Sequence, residues 1–143
     1  MKSSLLTQLD HERIVAAIAA AEKKSSGEVR VHVHHRRVKD PMHAGKKIFE
    51  KLGMTKTIHR NGVLLFVAPK SKTFAILGDT GIHEKCGDEF WTSVADVLRR
   101  HFQEGKFTDG IVAAVETVGD RLAEHFPRSP EDKDELPDEI DES

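Results

Sequence analysis

One cysteine, one tryptophan and no tyrosine occur in 143 residues, and each scarcity excludes something. Cys86 has no partner for an intramolecular disulfide, and a lone thiol fits a reducing compartment. Long apolar runs are missing as well. None approaches the roughly 20 residues that span a bilayer. The opening Met1-Lys2-Ser3-Ser4-Leu5-Leu6 has a lysine without the apolar stretch of a secretory signal, so cytoplasmic residence is the expectation. No aromatic residue is interleaved with the basic run His35, Arg36, Arg37 and Lys39, which together with the missing tyrosine argues against nucleic acid as a partner. No Gly-x-Ser-x-Gly turn exists, and Ser25, Ser26, Ser71 and Ser93 lack any context that marks an activated nucleophile.

Net charge is also small, at −2, and its acidic excess is local: residues 131–142 hold eight acids against Lys133. Residues 128–143 are therefore set apart as an acidic tail. Its only large apolar residues, Leu136 and Ile140, cannot offset the ordering entropy, so disorder is the expectation. Residues 1–127 are enough for a single domain with a genuine core.

That core is centred on a hairpin. Val63-Leu64-Leu65-Phe66-Val67 is a continuous apolar run, Pro69-Lys70-Ser71-Lys72 interrupts it, and Phe74-Ala75-Ile76-Leu77 resumes it before Gly78-Asp79-Thr80-Gly81. A strand apolar at every position needs cover on both faces. Before it, Asp10 caps a helix carrying Ile14, Val15, Ile18 and Ala21, which Ser25-Ser26-Gly27 ends. Glu28 to His34 alternates, with valines on one face and Glu28, Arg30, His32 and His34 on the other. This reads as a half-buried strand nearer an edge. Asp40-Pro41 opens a second helix with Ile48, Phe49 and Leu52 as its stripe. Two more helices follow, one carrying Phe90 to Phe102 from Asp88 and Glu89, the other capped by Thr108 and ended by Pro127. The order α-β-α-β-β-α-α predicts a three-layer α/β/α sandwich with a parallel first pair of strands and an antiparallel hairpin.

Several phrases in this order resemble the TPM domain: Gly27-Glu28-Val29-Arg30-Val31, Arg60-Asn61-Gly62-Val63-Leu64, Gly78 through Gly81, and Glu104-Gly105-Lys106-Phe107-Thr108-Asp109-Gly110-Ile111. The family includes a thylakoid-lumen acid phosphatase, a photosystem II repair protein and a receptor modulator. The resemblance covers about Ser3 to Pro127 and implies a Rossmann-like sandwich. It also implies calcium or another divalent ion near the loop after the third strand, and in some members a weak phosphatase. Members often carry Gly-Leu-Glu where this chain has Gly81-Ile82-His83, and Thr-Asp where it has Gly87-Asp88.

Folding the hairpin about Lys70-Ser71 sets Gly62 opposite Asp79 and brings Glu28, Asn61, Asp79, His83 and Asp88 to one rim. Asp79, Asp88, His83 and Glu28 are thus the candidate metal ligands. Calcium is preferred by resemblance, with zinc or manganese if His83 binds. Asp79 as a turn residue and Asp88 as a helix cap are the structural alternatives. The opposite rim is basic, with Lys70 and Lys72 beside His35 to Lys39, a place for a phosphate-bearing ligand or for a solvated turn. His32-x-His34 has chelating geometry on a strand, set against ordinary exposed sheet-face histidines. The function expected is a TPM-like binding module with a divalent-cation site. It would engage a protein partner through the loops after the third strand or through the tail. The alternative is a weak metal-dependent acid phosphatase acting on phosphomonoesters.

Overall fold

The computed structural model describes residues 9–128 and 140–142. Helix α1, His11–Lys24, starts where the Asp10 carboxylate accepts the Arg13 N–H at 3.1 Å. Strand β1 spans Glu28–Val33, and helix α2, Pro41–Lys51, follows with Asp40 accepting from His43 and proline in its first turn. Strands β2, Gly62–Ala68, and β3, Thr73–Gly78, flank a 3₁₀ turn at Pro69–Ser71. Helices α3, Thr80–Cys86, α4, Asp88–Gln103, and α5, Phe107–His125, come next, and a short strand β4, Ile140–Glu142, ends the described chain.

The four strands lie in the order β3-β2-β1-β4. β1 runs parallel to β2 and to β4, while β2 and β3 are antiparallel. The hairpin register is the expected one: Val63 opposes Gly78 and Ala68 opposes Thr73. One face presents Val29, Val31, Val33, Val63, Leu65 and Val67 to a core filled by α1, α3, α4 and α5. The other presents Leu64, Phe66, Ala75 and Leu77 to α2, with Phe49 and Met54 in the contact. The molecule is an α/β/α sandwich whose second helical layer is α2. That helix lies close because position 45 is glycine: a Cβ there would sit 2.7 Å from Leu77 Cδ1.

Three expectations are corrected. The stretch after β3 is not a bare loop but the seven-residue α3, too short to show periodicity in sequence. Thr108 does not cap α5; its hydroxyl accepts the Asp10 N–H at 3.0 Å and joins the starts of α1 and α5. Disorder across the whole tail does not hold for Ile140–Glu142, which pair with Val31–Val33; residues 129–139 lie outside the described residues. This added strand is why β1 is no edge strand. All six of its residues are buried, polar ones included.

Candidate functional site

The rim at the start of β1 and β2 is built by hydrogen bonds around Arg60. Arg60 has φ +52°, and its carbonyl accepts the Gly81 N–H at 2.8 Å. Only glycine fits at position 81, because a Cβ there would run into the carbonyl oxygens of His59 and Arg60. The approach lays the Arg60 guanidinium on Asp79, Nε to Oδ2 at 2.7 Å and Nη2 to Oδ1 at 2.8 Å. Asp79 Oδ1 also accepts the Thr80 N–H at 2.8 Å and so caps α3. The Asp79 side chain is 5% exposed, Arg60 47%, and the carboxylate, first through its hydrogen bond, raises the Arg60 pKa further.

The other members of the expected ligand set are near but differently engaged. His83 Nε2 lies 3.3 Å from Asp88 Oδ1, on a carboxylate that is 94% exposed. The His83 ring stacks on Trp91. Glu28 opposes Gly62 in the register and is buried. Asn61 Nδ2 donates to Ser26 Oγ at 3.1 Å, and its Oδ1 is buried without a hydrogen-bond partner among the described residues. Among the described residues no three His, Cys, Asp or Glu side chains converge as a metal cage. A calcium ion needs six to eight oxygens. Here the best-placed carboxylate already holds a guanidinium, so the arrangement does not fit that ion.

Three of the serines set aside as nucleophiles make structural contacts. Ser25 Oγ bridges Ala21 O and Gly27 N, Ser26 accepts from Asn61, and Ser71 accepts from the Val38 N–H at 2.9 Å. Burial pushes the Cys86 thiol up, away from thiolate. On the basic rim, Asp40 already occupies the start of α2.

The histidine pair is where expectation and structure part most. His32 is not an exposed sheet-face residue but 0% exposed. Its Nδ1 meets Asp141 Oδ2 of β4 at 2.5 Å, its Nε2 faces His34 Nδ1 at 3.4 Å, and its ring stacks on Phe66. Arg30 Nη2 lies 3.8 Å from the other Asp141 oxygen. Burial holds the His32 pKa below the usual imidazole value against the pull of Asp141. Burial, then His32 and nearby cationic groups, does the same for His34. Asp141 lay in the stretch read as disordered, so no sequence signal joined it to His32.

A third feature is the outer edge of β3. Asp79 N–H bonds to Gly62 O at 2.9 Å. Bonding alternates along an antiparallel pair, so Thr73, Ala75 and Leu77 face β2, while Phe74, Ile76 and Gly78 turn their N–H and C=O groups outward. Among the described residues no strand takes them. Along this edge runs a groove of about 500 Å³, walled by Pro41 and Met42 on one side and by Trp91, Thr92, Ala95 and Arg99 on the other. Two of its lining residues, Thr73 and Trp91, each carry a polar atom, Oγ1 and Nε1, that is buried without a hydrogen-bond partner among the described residues.

A helix-covered mixed sheet of this kind defines a small Rossmann-like α/β domain. The profile of the TPM domain matches residues 2–121, and the chain belongs to that family. The solution structure of the BA42 protein from the psychrophilic bacterium Bizionia argentinensis superimposes with a TM-score of 0.86 at 39% identity, over 95% of this chain and 96% of that one. The N-terminal domain of the cg2496 protein from Corynebacterium glutamicum gives 0.58 at 20% identity, covering 90% and 78%. An N-terminal domain of a P. gingivalis protein gives 0.64 at 19%, covering 80% and 76%. These last two likenesses show the fold alone. No curated protein matches the chain. No described helix is long and apolar enough to cross a membrane.

Proposed function

We propose that this TPM domain is a protein-binding module that takes an extended peptide as an added strand along β3. The observation that carries the reading is the outward row of backbone groups at Phe74, Ile76 and Gly78, the first two lining the groove and Gly78 the adjoining hollow. Strand addition uses such an edge for affinity and alternate side-chain pockets for specificity. Alternate residues of the incoming strand would meet Trp91 and Ala95 on one side and Pro41 and Met42 on the other. Lys46 lines an adjoining hollow of about 200 Å³ beside Leu77 and Gly78, Arg99 lines the groove, and Lys72 precedes the strand. These cations favour a peptide that alternates apolar and acidic residues.

Selection from a displayed library of random peptides, followed by amide NMR mapping of the selected peptide, tests the reading. Shifts concentrated on residues 73–78 and on α4 are expected, and Ala95→Arg, which fills the groove from a half-buried position on α4, should weaken binding by about tenfold or more. A footprint on another surface, or an edge taken up by a second copy of this chain in light scattering, overturns it.

A divalent cation on Asp79, Asp88, His83 and Glu28 would require Arg60 to leave the carboxylate. Calcium titration of Arg60→Ala beside the wild type reads that displacement directly. The acid-phosphatase alternative is supported by family resemblance; Ser25, Ser26 and Ser71 are already engaged in structural hydrogen bonds, which favours the binding reading.

A further inference from the structure

We propose that His32 and His34 form a two-nitrogen site for a borderline transition-metal ion, zinc or copper(II), with Asp141 as the carboxylate that orients His32. Two nitrogens on one tetrahedral zinc, each at about 2.0–2.1 Å, stand roughly 3.3–3.4 Å apart. His32 Nε2 and His34 Nδ1 stand at 3.4 Å. Their residues are two apart on one strand, so both imidazoles leave the same face.

The tautomer follows from the neighbour. Asp141 at 2.5 Å accepts the Nδ1 proton of His32, which leaves the Nε2 lone pair turned toward His34. Facing lone pairs repel, so the gap holds either the Nδ1 proton of His34 or a cation. A carboxylate on the far nitrogen of a ligating histidine is the usual outer partner of such sites, fixing the ring and raising its basicity. Asp141 is therefore a positioning residue and not a ligand. Phe66, stacked on His32 and tilted against His34 with its ring centre 5.4 Å from each, holds them in place. His34 is only partly buried.

The surrounding charge sets the strength. Arg30, Arg36 and Lys51 carry positive charge nearby and oppose a cation. Against that field copper(II) should bind tighter than zinc.

The experiment is competition of zinc chloride and copper(II) chloride against a chromophoric chelator, on the full chain without a polyhistidine tag. One ion per chain is expected. Affinity should fall by about tenfold or more in His34→Ala and by roughly 10–100-fold in Asp141→Asn, whereas Asp79→Ala at the other rim should bind as wild type. Circular dichroism without metal establishes that the variants fold. A readout independent of variants is the imidazole nitrogen NMR spectrum of the wild type, in which zinc should shift His32 and His34. Zinc held no tighter than about millimolar, unshifted imidazoles, or a folded His34→Ala that binds as wild type overturns the site.

Discussion

At the scale of single residues, Arg60 decides what Asp79 is. Two carboxylates held close would repel, and removing one would then stabilise the fold. Asp79 instead receives a two-point guanidinium contact and caps α3. Asp79→Ala should therefore lose about 1–2 kcal/mol in a urea titration, mostly the cap, since an ion pair with a half-exposed arginine adds little. The histidines give a second prediction. Their folded-state pKa values lie below the unfolded value of about 6.5, so in mild acid the unfolded chain binds more protons. The contribution is fully present above about pH 6.5 and is lost as pH falls toward the folded values. Thermal midpoints of the metal-free protein measured from pH 8 to 5 should drop on the acid side, and His34→Gln should make the drop shallower. A wild-type profile no steeper than that of the variant would show that the imidazoles do not titrate on unfolding.

At the scale of elements, the legible parts were those with enough length to show a period. The hairpin register followed from two apolar runs about one turn, α1 and α2 followed from cap and stripe, and α4 from its stripe alone, since Gly87 and not Asp88 stands at its N-cap. What escaped was short or long-range. α3 has seven residues and one buried side chain, Ile82, so no stripe exists to be read. β4 has three residues in an acidic stretch and gains its place by pairing with residues 109 positions away, Ile140 on Val31 and Asp141 on His32. The alternation of β1 was read correctly, but its polar face was assigned to solvent, whereas the register sets Arg30 and His32 beside Leu64 and Phe66 on the face that α2 covers. The metal-ligand set was legible as a rim and not as a cage. Register brought Glu28 and Asp79 to the same end, while the left-handed backbone at Arg60, which aims the competing cation, has no sequence signature.

At the scale of the whole molecule, the sheet has two edges treated in opposite ways. β3 is left open along a groove, whereas β1 is closed by three residues of β4, with Ile140 packed against the main core. An open, flat, apolar strand edge pairs with whatever strand it meets. Closing β1 with a short strand rich in acids leaves one such edge instead of two. A chain ending at Arg128 keeps the contacts that fasten the end of α5, the Ser25–Pro127 bridge and the Arg128 hydrogen bond to Glu22 O. It loses Ile140, the Asp141 partner of His32, and the cover over Arg30. Burial of one half-exposed isoleucine is worth about 1–2 kcal/mol, so the thermal midpoint should fall by roughly 3–8 °C. The freed β1 edge should also make the shortened chain associate as concentration rises, detected as a growing mass in light scattering while the full chain stays at one mass. A shortened chain that melts with the full one and keeps its mass would show that β4 neither stabilises the sheet nor guards its edge.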